Sequence, residues 1–238
     1  MPIYSVKLLR KEEVAAGTMA FHFETPAGFA FKAGQFGDFT LLHPSETDEE
    51  GNIRGFSLAS APFEPDVMIA TRMRDTAFKR VLHSLPLGTP VKLDAPYGDF
   101  VLHTPVTTPA VFLTGGIGIT PVRSIIAQAT KEQLPQKLTL FYANRTPQDA
   151  AFFHDLEQCA KDNPHLTFVP VMTRTTPQQW AGESGHIDKH MLMRYVTDVT
   201  TPLYYLSGPA NMVAAMRQIL TDAQVNEDRI RTEEFSGY

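Results

Sequence analysis

The hydrophobic pattern of this chain changes period near residue 105, and that change limits the folds open to it. Before it, apolar residues come in short alternating runs. Met19, Phe21 and Phe23 alternate with small or polar neighbours, as a half-buried strand requires. Further short strands are expected at 3–9, 35–42, 54–59, 67–73 and 91–93. Turn signals separate most of them: Pro26-Ala-Gly28, the acidic loop 45–52 and Leu87-Gly88. One helix interrupts the series at 76–85, with Phe78, Val81, Leu82 and Leu85 on one side. Six short strands with so little helix predict a small antiparallel barrel or sandwich.

A linker is expected at 103–109, where two prolines flank threonines. Beyond it, continuous apolar runs at 110–113, 138–142, 166–172 and 203–206 read as fully buried strands. A fifth strand at 229–235 closes the series. Helices are expected at 121–134, 147–161 and 209–223, each opening on proline. Thr120, Thr146 and Gly208 then fall at the N-caps. Strands alternating with helices predict a five-stranded parallel sheet covered on both faces. The expected division is residues 1–105 and 106–238.

Composition removes several function classes. Hydrophobic residues are 43% and charged residues 20%, which excludes a disordered chain. The net charge is −5, against the basic face that nucleic acid or an anionic membrane surface demands. The lone Cys159 excludes an internal disulfide, a Cys₄ zinc site and an iron–sulfur cluster held by cysteines. It also points to a reducing compartment. Lys7 and Arg10 interrupt the start of the chain before a signal-peptide core forms. No apolar stretch approaches the roughly 18 residues of a membrane span. The expected location is the cytoplasm.

Six segments carry candidate chemistry. Thr-Gly-Gly-Ile-Gly-Ile-Thr-Pro at 114–121 follows a buried strand and opens a helix. Glycines admit a ligand to the backbone, and a helix start offers free N–H groups to a phosphate or pyrophosphate. The plainer reading is a tight strand–helix turn. The strand, glycines, threonine and proline together favour the anion site. It is neither a P-loop nor a GxGxxG fingerprint. Arg54-Gly-Phe-Ser57 offers a guanidinium for a pyrophosphate, a ring for stacking and a hydroxyl, although alone it also fits an edge strand with one exposed arginine. Arg72, Arg74, Lys79 and Arg80 cluster around a helix start, which suits a phosphate or simply a solvated face. The turn at 95–100 ends the barrel region, and a turn without function is its stronger reading. Tyr-Leu-Ser-Gly-Pro at 205–209 again brings a buried strand to a helix start, where ligands collect in open α/β sheets. The chain end, Glu-Glu-Phe-Ser-Gly-Tyr at 233–238, either anchors the terminus or covers a ring.

The ordered set of six resembles the ferredoxin–NADP reductase superfamily over nearly the whole chain. The resemblance implies an N-terminal antiparallel six-stranded β-barrel that binds FAD. It implies a C-terminal α/β domain that binds NADPH or NADH on a five-stranded parallel sheet. Arg54 and Gly55 would then meet the FAD pyrophosphate, Phe56 one face of the isoalloxazine, and Ser57 the region of N5. Thr71 and Arg72 would line the flavin from the next strand. The family's Gly-x-x-Ser at the phosphate helix is replaced by Thr76, Ala77, Phe78 and Lys79. This departure puts a charge where relatives have a hydroxyl and leaves FAD and FMN both open. Gly115, Gly116, Gly118 and Thr120 would cradle the nucleotide pyrophosphate. Ser207, Gly208 and Pro209 would sit by the nicotinamide, with serine where many relatives have cysteine. Glu233 and Phe235 match the family's acidic-x-aromatic ending, and Tyr238 would extend towards the adenine. Ser57, Ser207 and Glu233 are the expected catalytic set. Asn144 and Arg145 follow the second parallel strand, where the adenosine ribose is read. Arg145 and Arg174 lean towards NADPH, and Asp149 pulls the other way.

The implied activity passes electrons from NAD(P)H through FAD to a separate carrier: ferredoxin, flavodoxin or an oxygenase component. A reductase of free flavin or ferric complexes is the enzymatic rival. A non-catalytic module that senses NAD(P)H is the rival of another class. His186 and His190 have metal spacing but lack a third ligand, so a surface helix start is the better reading. Cys159 reads as packing, not as a nucleophile.

Overall fold

The computed structural model describes residues 3–176 and 179–235. The first half contributes β1 (Ile3–Ala15), β2 (Thr18–Glu24), β3 (Phe36–Leu41), β4 (Ile53–Ser57), β5 (Asp66–Arg72), α1 (Ala77–Ser84) and β6 (Pro90–Tyr97). Its six strands form one antiparallel sheet in the order β4-β3-β6-β1-β2-β5. The edges approach each other: the Ala59 amide, two residues past β4, donates to the Met68 carbonyl of β5 at 2.7 Å. The resulting barrel is filled by Val6, Leu8, Phe21, Phe23, Phe39, Ile69 and Leu93, with Phe78 of α1 plugging one end.

The strand β1 is longer than expected. It pairs with β6 through Ile3–Lys7 and then with β2 through Leu8–Ala15. Polar residues 10–13 hide this second half, because their partners on β2 supply the burial instead. His22, only 4% exposed, donates its Nε2–H to the Glu12 carboxylate at 2.9 Å.

The second half contributes β7 (Ala110–Gly115), α2 (Ile119–Lys131), β8 (Leu138–Asn144), α3 (Phe153–Asp162), β9 (Leu166–Met172), β10 (Glu183–Ser184), α4 (Lys189–Tyr195), β11 (Leu203–Pro209), α5 (Ala210–Asp222) and β12 (Ile230–Phe235). The parallel order is β10-β9-β8-β7-β11-β12. The five expected strands are present, and the two-residue β10 adds an edge. All six residues of central β7 are buried. Val122, Ile126 and Leu156 of α2 and α3 cover one face, and Met191, Val213 and Met216 of α4 and α5 cover the other. No helix among the described residues is long and apolar enough to cross a membrane.

Three expected helix starts move. Thr120 lies inside the first turn of α2, where its hydroxyl donates to the Ile117 carbonyl at 3.0 Å. Residues 147–149 form a short 3₁₀ turn under a Thr146–Asp149 capping box, and α3 begins only at Phe153. Phe152, at φ 58, breaks the helix between them. Gly208 remains in β11, and Pro209 takes the cap of α5. His186 and His190 flank the start of α4, capped by Asp188, and form no metal-binding group among the described residues.

The two halves share one apolar core. Ala20, Met68 and Ala70 of the barrel pack in the same cluster as Phe112, Val122, Ile126 and Tyr205 of the parallel domain. That shared core fixes the junction at which the candidate site lies.

Candidate functional site

A cavity of about 460 Å³ opens where the carboxyl ends of β4 and β5 meet β12 and the loop before α2. Its lining includes Arg54, Gly55, Phe56, Ser57, Thr71, Arg72, Phe78 and Lys79 from the barrel, and Thr120, Glu233 and Phe235 from the parallel domain. All of these are expected from the sequence. Phe36, Glu50, Ala70, Ile117 and Glu234 also line the cavity and are not; Ile117 and Glu234 sit inside the glycine-loop and chain-end motifs without being expected site residues, while Phe36, Glu50 and Ala70 arrive by folding.

One end of the cavity is cationic. Arg54 packs over the Phe78 ring, 5.3 Å from its centroid, and pairs with Asp48 at 3.2 Å and Glu50 at 2.8 Å. The Ala77 amide at the start of α1 donates to Asp48 at 3.2 Å. Lys79 donates to the Arg72 carbonyl at 2.7 Å. Burial pulls the Lys79 ammonium below the ordinary lysine range, and the charges of Arg74 and Arg54 add to the effect. Cations crowded in this way, beside a helix start, have the chemistry to hold a phosphate-bearing group. Thr71 is buried, and Arg72 reaches across the junction to Asp149 at 3.2 Å.

The other end is acidic and enclosed. Ser57, 4% exposed, donates its hydroxyl to Glu233 at 3.1 Å. Burial pushes the Glu233 carboxyl up to about 7, helped by the charge of Asp99 and opposed by the Ser57 hydrogen bond. The second Glu233 oxygen is buried with no hydrogen-bond partner among the described residues. A carboxyl that titrates near neutrality inside a cleft can hold or release a proton under working conditions. The rings of Phe56 and Phe235 border this space, which suits a flat ligand.

The glycine-rich loop lies behind the cavity. A Cβ on Gly118 would sit 2.4 Å from the Ser207 carbonyl oxygen, so only glycine lets the two loops approach. Ser207 is fully buried and donates to the Gly118 carbonyl at 2.8 Å. Gly115 and Gly208 also meet backbone to backbone: a Cβ on Gly208 would be 3.2 Å from Gly115 nitrogen. Gly116 turns at φ 53, and its carbonyl receives the Tyr142 hydroxyl at 3.2 Å. Pro209 lies beside Gly115. These residues therefore form one tight layer that does not line the cavity itself. Asn144, at the end of β8, is 6% exposed with both side-chain polar atoms unpartnered among the described residues. Arg145 beside it and Arg174 on the next strand end are exposed. Asp149 is committed to the Thr146 amide and hydroxyl and to Arg72. Tyr238 lies outside the described residues.

Residues 112–218 match the family described as the oxidoreductase NAD-binding domain. The chain is 27% identical over 219 residues to the reductase component of the propane 2-monooxygenase of Rhodococcus jostii, covering 89% of this chain and 57% of that one. It is 27% identical over 225 residues to the glycine betaine monooxygenase reductase of Chromohalobacter salexigens, covering 92% and 60%. The chain thus spans little more than half the length of these curated relatives. A ferredoxin NADP+ reductase from Neisseria gonorrhoeae, solved with bound FAD and NADP, shares the fold with a TM-score of 0.78, 22% identity and 98% coverage of both chains. With a barrel and a parallel sheet meeting at one cleft, the chain shares the fold of that ferredoxin NADP+ reductase, and residues 112–218 of its second half match the oxidoreductase NAD-binding domain.

Proposed function

We propose that this chain is a flavin-dependent oxidoreductase that carries electrons from NAD(P)H through FAD to a separate protein acceptor. Residues 1–105 form the flavin unit and residues 106–238 the nucleotide unit. The Ser57–Glu233 hydrogen bond across the junction carries the reading, because it puts a proton-holding pair inside the cleft that both units share. FAD fits the residues present: cations and a helix start at one end, and the rings of Phe56 and Phe235 with an unpartnered Glu233 oxygen at the other. When bound, FAD supplies the hydride acceptor and allows the electrons to leave singly.

The chain's own groups do the rest. Arg54, Lys79 and the Ala77 amide would hold the pyrophosphate in place of Asp48, Glu50 and the Arg72 carbonyl, which they bond here. Thr71 and Arg72 would flank the flavin, and the Phe235 ring would cover it. Ser57 donates to Glu233, whose carboxyl holds a proton near neutral pH. The layer of Gly115, Gly116, Gly118, Ser207, Gly208 and Pro209, with Thr120 on its cavity side, would position the nucleotide, where an ångström of misplacement is costly. Asn144 and Arg145 read the adenosine end. With Asp149 already paired, the exposed arginines 145 and 174 favour the 2′-phosphate of NADPH. The acceptor is a ferredoxin, a flavodoxin or an oxygenase component; two relatives are themselves named as reductases of monooxygenases. The single cysteine supports a cytoplasmic location.

The test is the visible spectrum of the purified protein during anaerobic addition of NADPH and, separately, NADH. The expected result is a yellow flavin band that bleaches faster with NADPH. Arg54→Ala should lose the flavin. A wild-type protein that stays colourless after reconstitution, or an Arg54→Ala variant with full flavin content, refutes the assignment.

A further inference from the structure

Arg123 sits on α2, five residues after Gly118, and is only 9% exposed. Its guanidinium donates to the Ala59 carbonyl at 3.2 Å and pairs with Glu64, both from the barrel half. It also pairs with Asp155 of α3 at 2.9 Å and lies over the Phe152 ring. The next residue, Ser124, is fully buried and donates to the Ser60 carbonyl at 2.6 Å. Two consecutive side chains of the nucleotide helix are thus bonded to the backbone that follows the Arg54–Ser57 strand.

These contacts complete a circuit. Ser57 donates to Glu233, and Glu233 stands opposite Ser207 in the β11–β12 ladder. Ser207 donates to Gly118, which α2 joins to Arg123 and Ser124. Those two return to Ala59 and Ser60, two and three residues past Ser57. From Gly118 to Arg123 the helix rises about 8 Å, so any tilt at the arginine moves the glycine loop. A buried ion cluster is a poor source of stability, since apolar residues of the same volume do as well or better. What a rigid planar fork adds is a fixed geometry.

We propose that Arg123, backed by Ser124, is a positioning residue that sets the separation between the Ser57 edge of the flavin site and the Gly118–Ser207 layer. This rests on the flavin and nucleotide reading above, and its test is chosen to fail separately.

The variants are Arg123→Met, Arg123→Lys and Ser124→Ala. Four quantities are measured: flavin content, the nucleotide concentration giving half-maximal bleaching, the single-turnover bleaching rate at saturating NADPH, and amide hydrogen exchange at 58–61 and 117–120 without added cofactor. For Arg123→Met the bleaching rate should fall ~10- to 100-fold. Flavin content and half-saturation should stay within about twofold, the pattern of an interaction felt in the transition state and not in binding. Exchange should quicken at both segments together. Arg123→Lys, which keeps the charge and loses the fork, should recover part of the rate. If Arg123→Met does not fold, Ser124→Ala carries the same test, with an expected rate loss of about threefold to tenfold. An unchanged rate overturns the proposal, as does a rate lost only in proportion to flavin, or exchange that quickens on one side alone. A wild-type protein without flavin would sink the functional reading instead, while the paired exchange still reports on the Arg123–Ser124 contacts.

Discussion

Replacing Glu233 by glutamine should stabilise the fold in a pH-dependent way. The carboxyl is raised from 4.5 to about 7, chiefly by burial. At about 1.4 kcal/mol per pH unit, that rise is worth roughly 3 kcal/mol. The sign follows from where the proton sits. Below about pH 4.5 the side chain is protonated in both states and costs nothing. Between 4.5 and 7 the folded protein keeps a proton that the unfolded chain has released, so stability falls as pH rises. Above 7 both states are ionised, and the folded state carries the whole penalty of a half-satisfied buried charge. Glutamine removes it while still accepting the Ser57 hydroxyl at Oε1. It also ends the repulsion from Asp99. Urea unfolding of the wild type and Glu233→Gln at pH 5 and pH 8 measures the effect. The gain from the substitution should be larger at pH 8 by about 2 kcal/mol. All other titrations are common to both proteins and cancel in the difference. Parallel stability curves would refute the reasoning, and with it a buried carboxyl that titrates near neutrality.

Two further substitutions probe the layers on either side. Gly118→Ala places a Cβ 2.4 Å from the Ser207 carbonyl and 2.6 Å from the Gly208 nitrogen, both backbone atoms that cannot swing away. A loss of roughly 3 kcal/mol in urea unfolding is expected, against about 1 kcal/mol for Gly28→Ala, which has open space and only a positive φ; equal losses would show that the close approach is not needed. Tyr205→Phe removes the fully buried hydroxyl that receives the His103 amide at 3.0 Å and donates to the Val101 carbonyl at 3.1 Å. Leaving that amide unpaired should cost roughly 1–3 kcal/mol, and a thermal midpoint within a degree of wild type would contradict it.

Parts of this fold are legible in the chain, and the rest is hidden for physical reasons. The parallel strands show because β7 is buried on both faces and has no polar position to break its run. The glycine loop shows because strand, glycines and helix start are contiguous. The second half of β1 does not, since residues 10–13 are charged and find their partners on β2. The start of α3 is displaced from its expected position because Pro147 is a good first helical residue, yet a left-handed Phe152 intervenes. β10 has two residues, too few to show any period. Arg123 carries no signal at all. An arginine within a helix reads as solvent-facing, and nothing local reveals that Glu64 and Asp155 will bury it from two directions.

That silence explains where the function of such a fold is stored. Ser57 and Glu233 are 176 residues apart and meet at hydrogen-bond distance. Neither β4 nor β12 determines that meeting, because each belongs to a different sheet. The shared apolar core brings the sheets together, but apolar contact is non-directional and tolerates sliding. Directional bonds have to remove the remaining freedom. They do so at several places: the Ser57–Glu233 pair inside the cleft, the Arg72–Asp149 pair, the Ala16–Gln148 backbone bond, and the Arg123–Ser124 contacts. One contact alone would leave a hinge. Contacts at several separate points leave none. A site divided between two sheets therefore needs a second, remote fastening, and residues of that kind carry no motif because their chemistry is only to hold.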